Sequence, residues 1–308
     1  MARTPNKKKR HILRNILLGL VIIIVGLVGY MFIEANVVHL EYADVQLEDL
    51  PDAFEGTKIL FLTDLHIDEL NTPERVYLLV EQLSALEPDM IVLGGDYTSH
   101  TMKDMLQIRA GMTSYNQAKE NESRRRDQFF IMMGNLNPPL GMYAVPGNHD
   151  EDVGSLQEST ALGNVQLLSN QRIVLEKDGE KLYLVGLDDW TMGRNRIAQM
   201  ADKVRGEDCV ILLSHNPDVL PIVSNQPASD GKQWADLMLS GHTHGGQIRP
   251  FGILLYSSSS YGERYRTGWI RESGTELLVS NGVGTTGTPF RLMAPAQAHL
   301  ITLHTVQD

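Results

Sequence analysis

Five short apolar runs in this chain end alike. They read "KILFLTDLH", "DMIVLGGDY", "GMYAVPGNHD", "CVILLSHNP" and "ADLMLSGHTH", and each passes from apolar residues straight into a polar, mostly glycine-bearing cluster. Runs this short and this continuously apolar fit strands buried on both faces. Stretches with helical spacing separate them, which predicts an α/β fold. In α/β sheets, ligands bind beyond the carboxyl ends of the strands. The five endings are therefore candidate site positions: Asp64-Leu65-His66, Gly95-Asp96, Gly147-Asn148-His149-Asp150, Ser214-His215-Asn216 and Gly241-His242-Thr243-His244.

Each ending alone is an ordinary turn. Together they offer carboxylate, imidazole and amide oxygen without thiolate, a set suited to Mn²⁺, Fe, Zn²⁺ or Co²⁺. So many donors exceed the needs of one ion. They suit two divalent ions about 3.5 to 4 Å apart, bridged by one carboxylate. Glycines beside the donors would let backbone approach the ions. Strand-like alternation through His242-Thr243-His244 would send both imidazoles to one side.

The N-terminal segment is a separate unit. Asn15 to Ile33 carries no charge, and six Lys or Arg precede it with no acid. A helix of about 20 apolar residues crosses a bilayer, and the basic flank should stay in the cytoplasm. The exit "IEANVV" is a poor cleavage site and no twin-arginine pair precedes the run. This predicts a basic cytoplasmic tail at 1–14, an uncleaved signal anchor at 15–35 and a single extracytoplasmic body at 36–308. Beyond residue 14 the chain has 21 basic and 38 acidic residues. Such a body argues against a nucleic-acid surface.

Several local features are legible. Thr72 and Pro73 form a helix start, and the helical pattern stops before Pro88. Residues 101–137 are polar and predict a long exposed helix or helix pair, with Arg124 to Arg126 on a solvated face in preference to a contact with anionic lipid heads. Lys177-Asp178-Gly179-Glu180 reads as a hairpin turn. "ELLVSNGVG" and "AHLITLHTV" read as closing strands. Glu34 to Gly56 should join the anchor to a first strand. Cys209, the one cysteine, sits in an apolar run and reads as a core residue.

The ordered set D-x-H, G-D, G-N-H-D, H and G-H-x-H resembles the calcineurin-like metallophosphoesterase superfamily, over about residues 56 to 305. "GHTHGGQIRP" and "NGVGTTGTPFRL" are similar to its bacterial membrane-associated phosphodiesterase branch, which includes enzymes like UDP-diacylglucosamine pyrophosphatases. The resemblance implies a four-layer α/β/β/α sandwich. It implies one metal held by Asp64, His66, Asp96 and His244, and a second held by the bridging Asp96 with Asn148, His215 and His242. His149 would lie near the leaving oxygen as proton donor or stabiliser, oriented by Asp150. A hydroxide bridging both ions would attack phosphorus in line.

In that branch the late segment usually ends in a proline followed by an acid; here it reads "APAQAHLITL", with Gln297. "NGVGTTGTP" lacks the Lys-Ser/Thr of a nucleotide P-loop and reads as a tight loop bordering the site. Arg291 reads equally as a substrate-phosphate contact or a salt bridge.

The expected function is phosphodiester hydrolysis at the membrane. The alternatives are a pyrophosphatase or monoesterase on a lipid-linked substrate, and a non-catalytic metal-binding scaffold. An outward-facing body conflicts with the branch's nucleotide-lipid substrate, which is cytoplasmic.

Overall fold

The computed structural model describes residues 7–99, 102–150 and 152–306. The basic tail through Asn6, including Arg3, lies outside them. Helix α1 spans Lys7–Asn36, about 45 Å at 1.5 Å per residue. Its apolar stretch His11–Asn36 is long enough to cross a membrane. Only Val37 separates it from strand β1 (Val38–Leu47), so the expected connector from Glu34 to Gly56 is mostly helix end and strand.

The five apolar runs are strands: β2 (Lys58–Leu62), β3 (Met90–Leu93), β4 (Met142–Ala144), β8 (Val210–Leu213) and β9 (Leu237–Ser240). The others are β5 (Val165–Leu167), β6 (Gln171–Lys177), β7 (Glu180–Gly186), β10 (Gly268–Glu272), β11 (Thr275–Val279) and β12 (Ala296–Thr305). They form two six-stranded sheets, ordered β1-β12-β2-β3-β4-β5 and β10-β11-β9-β8-β7-β6. Within each sheet the runs are parallel to one another, so their carboxyl ends share that sheet's edge.

Period-two alternation sets the layers. In β2, Ile59 and Phe61 join the core between the sheets, where Ile211 and Leu213 of β8 meet them. Leu60 and Leu62 face outward onto α2 (Pro73–Ser84), α4 (Tyr115–Met133) and α5 (Val153–Leu162), through Val76, Phe130 and Leu156. Val210 and Leu212 face outward onto α6 (Ile197–Ala201) and α7 (Leu220–Asn225), through Met200 and Val223. The architecture is the expected α/β/β/α sandwich. Cys209 is buried in the central core.

Local sequence explains the element ends. The Thr72 hydroxyl accepts from the Arg75 amide with Pro73 at the first helical position. Asp178 and Gly179 both have positive φ between β6 and β7, as a two-residue hairpin loop requires. Residues 102–133 are a helix pair, α3 (Met102–Arg109) and α4.

The solvated face expected for Arg124 to Arg126 needs correction. Arg124 is exposed, but Arg126 is buried with Nε and Nη2 donating to Ser159 and Ser155. Arg125 lies 3.6 Å from Asp104. Phe129 and Phe130 bury the same helix, and the arginine stem follows them down.

His299 of β12 ties the sheets together beside the polar edge: its Nε2 lies 2.9 Å from Ser280 Oγ, just past β11. Burial pushes its imidazole down to about 4. Below its ordinary value of 6.5 the unfolded chain takes a proton that the folded chain refuses, so His299 removes stability as pH falls from 6.5 to 4. Between pH 6 and 4.5 the native chain should lose about 1 kcal/mol per pH unit more than His299→Gln in urea titrations. Parallel losses would contradict this.

Candidate metal centre

The polar edge folds back sharply after β2, β3 and β9. Asp64, His66, Asp96, His242 and His244 all have positive φ, between 41° and 71°. Such backbone is uncommon outside glycine, though Asp and His tolerate it best. Holding it costs about 1–3 kcal/mol per residue, and it is characteristic of functional sites. The strand-like alternation expected for His242 and His244 is therefore wrong. Both sit in a turn after β9, and left-handed backbone aims their rings.

Tight packing makes the fold-back possible. A Cβ on Gly147 would collide with the Asp96 carboxylate, and one on Gly241 with that of Asp64. The Asp64 carboxylate accepts from Thr63 Oγ1 at 2.8 Å and from the His242 amide at 3.0 Å.

The predicted donors converge. His66 Nε2 lies 3.1 Å from His244 Nε2 and 3.6 Å from Asp96 Oδ2. Asp64 Oδ1 lies 3.3 Å from His244 Nε2. His215 Nε2 lies 3.3 Å from Asp96 Oδ2 and 4.0 Å from Asp64 Oδ1. His242 Nδ1 lies 2.7 Å from Asn148 Oδ1. Asp64, His66 and His244 form one group whose donor atoms lie within 4.8 Å of one another, and Asp64, Asp96 and His215 form another. A third group joins His66, Asp96 and His149. Asp64 is common to the first two groups, and Asp96 to the second and third.

The donor set fits divalent ions. His215 Nδ1 lies 2.8 Å from the Gly94 carbonyl and must donate to it, which leaves the Nε2 lone pair for a ligand. That Nε2 is buried without a hydrogen-bond partner. Burial pushes His66 down to about 3 and His242 to about 4, so both stay neutral. Burial alone would also lower His215, but the Asp96 and Asp64 carboxylates override it and raise it to about 10. The two carboxylates thus demand positive charge at this spot, which metal ions would supply.

Asp150 is buried beside the centre, but not as an orienter of His149. Its carboxylate accepts from the backbone amides of Asp96 and Gly147, at 2.8 and 2.9 Å, and from Tyr97. It fixes the loop that carries Asp96. His149 instead packs edge-on against His66, with ring centroids 5.0 Å apart, and its side chain is 39% exposed.

Arg291 is fully buried and forms no salt bridge among the described residues. Its guanidinium donates to the carbonyls of Ala294, Asn281, Gly282 and Gly284. This gathers "NGVGTTGTP" against Asp64, whose carbonyl accepts from the Gly284 amide. Gln297, the departure from the branch pattern, braces the same loop by accepting from the Asn281 amide.

A sixth strand end escaped the sequence reading. After β7 comes Leu187-Asp188-Asp189, another apolar run ending in acids. Asp189 is buried, accepts from the Thr191 and Met192 amides, and keeps Oδ2 without a partner. Its charge helps raise His215.

A cavity of about 620 Å³ opens over the centre. Asp96, Asn148, His149, His242 and His244 contribute to its lining, and Ile248, Leu255 and Tyr256 supply apolar wall.

Arg291→Met would leave buried carbonyls without donors, at about 1–3 kcal/mol for each one stranded. Unfolding of that variant should show a loss of at least about 3 kcal/mol. Arg291→Lys should recover only part, because an ammonium lacks the planar fork. A loss under about 1 kcal/mol would show that the carbonyls find other donors.

The chain is similar to known proteins. The model of the family described as calcineurin-like phosphoesterase matches residues 57–246. An uncharacterized metallophosphoesterase of Aquifex aeolicus is 28% identical over 290 residues, 89% of this chain and 95% of its own length. A transmembrane protein with metallophosphoesterase domain from Danio rerio is 25% identical, over 84% of this chain and 56% of its own. Among solved structures, the NAD nucleotidase of Haemophilus influenzae aligns with a TM-score of 0.43 and 16% identity, covering 74% of this chain and 45% of that one. By that family match the chain belongs to the calcineurin-like phosphoesterases, metal-dependent hydrolases of phosphoesters whose family centre is binuclear.

Proposed function

We propose that this phosphoesterase is anchored in the membrane by α1, carries its body on the extracytoplasmic side, and hydrolyses phosphodiesters. One observation carries the diester reading. The cavity lining contains no Lys or Arg among the described residues. A monoester dianion gains from cations beyond the metals, whereas a diester carries one charge and needs fewer. Arg291, the nearby buried cation, is committed to backbone carbonyls.

Asp64, His66, Asp96 and His244 would hold one ion, and Asp96, Asn148, His215 and His242 the other. Bound there, two divalent ions acidify water and neutralise charge on the phosphoryl oxygens. The chain's hydroxyls have other work. Thr243 Oγ1 donates to the Arg266 carbonyl, Ser258 Oγ to that of His242, and Ser214 Oγ to that of Asn216. No activated serine competes as nucleophile among them.

His149, at the rim and 39% exposed, would donate a proton to the departing oxygen. Its backbone amide donates to Asp96 Oδ1 at 2.8 Å, which ties its position to the proposed bridging ligand. The apolar wall favours a lipid-linked substrate as the second reading, whether diester, monoester or pyrophosphate. A non-catalytic scaffold would not need the full donor set together with a histidine at the rim.

His149→Ala should keep its divalent-ion content near that of the native chain and lose about 10²-fold in turnover of bis-p-nitrophenyl phosphate. Unchanged turnover would remove His149 from the chemistry.

A further inference from the structure

Four of the six residues in Phe251–Tyr256 are large apolar side chains held in solvent. Phe251 is 94% exposed, Ile253 60%, Leu255 67% and Tyr256 74%. The loop is not loosely hung. Leu254 packs toward Gly246, and Arg249 donates to the Gly252 carbonyl. Leu255 and Tyr256 also line the cavity over the metal centre. A contiguous apolar rim of this kind marks an interaction surface.

Its relation to α1 identifies the partner. The last turns of α1 are bonded to the body, not joined by a free linker. The Arg291 amide donates to the Met31 carbonyl, Glu34 accepts from the Ala294 amide, and Arg75 donates to Asn36. The Phe32 and Phe290 rings lie 6.5 Å apart at 68°. Phe32 falls inside the uncharged run, so the loop bearing Phe290 meets the anchor within its apolar length. That loop is paired to the segment before Phe251: the Arg249 amide donates to the Leu292 carbonyl, and the Leu292 amide to that of Gln247. The apolar rim is therefore fastened to the anchor's exit, on the strand edge that holds the metal site.

We propose that Phe251–Tyr256 is a second membrane contact, seated in the interfacial layer of the bilayer that α1 crosses. The anchor and loop together hold the cavity mouth at headgroup depth, where the phosphoester of an amphiphile would lie. This rests on the anchoring reading above. Shallow burial of an apolar loop beside a polar body is how interfacial segments bind.

The test places a fluorescent label on single introduced cysteines in the full chain, reconstituted in phosphatidylcholine vesicles. Cys209 is buried, with burial also holding its thiol inert, so it leaves the introduced thiol to react alone. Three sites are compared: Ile253→Cys on the loop, Ile22→Cys in mid-anchor, and Leu162→Cys at the end of α5, opposite the strand edge. Lipids carrying a quencher at shallow acyl depth should reduce Ile253→Cys fluorescence at least twofold more than Leu162→Cys. A deep acyl quencher should act on Ile22→Cys. Quenching at Ile22 with none at Ile253 would overturn the membrane contact while anchoring stands, and would leave the rim to a protein partner. No quenching at either position would overturn both.

Discussion

Two carboxylates, Asp64 and Asp96, are buried within a few ångströms of one another. At an effective dielectric of about 20, two such charges 5 Å apart repel by about 3 kcal/mol. Water cannot relieve them. Burial and the neighbouring Asp96 raise Asp64 to about 6, while His215 is driven toward a cation it would not otherwise be. A chain that pays this cost needs positive charge at that point, and two divalent ions satisfy it better than one imidazolium.

The rest of the molecule serves that pair. Two sheets bring their strand ends to one edge, and buried alternation on both faces of each sheet keeps the strands rigid. Beyond the edge, left-handed residues fold the chain back, while Asp150 and Arg291 hold the turns through backbone amides and carbonyls. These two buried charged groups touch no predicted ligand side chain, yet they set the loops on which Asp96 and Asp64 sit. Rigid positioning of this kind lets ligands meet ions without rearrangement.

Much of this was legible in the sequence because its causes are local. Continuous apolar runs with abrupt polar ends gave the strands, Thr72-Pro73 a helix start, and Asp178-Gly179 a hairpin. The donors could be named because each follows such a run. What the sequence hid depends on distant backbone. Asp150 meets amides more than fifty residues away, and Arg291 meets carbonyls that only the folded loop presents. Arg126 looked solvated because its neighbours Ser155 and Ser159 lie on another helix. His242 and His244 were assigned to one side for the wrong reason, since residue type alone does not announce a left-handed turn. Asp189 carried the same signal as the other endings and was passed over.

Helix α1 and the centre are one mechanical unit, because the loop gathered by Arg291 also receives the end of α1. In the proposed anchoring, membrane position and site geometry are coupled. The most direct test of the account is to strip the purified protein with chelator, add Mn²⁺ back stepwise, and follow turnover of bis-p-nitrophenyl phosphate. The account predicts tight uptake and a rise that breaks at two ions per chain. Folded protein that binds no ion, or reaches full turnover at one, would contradict it.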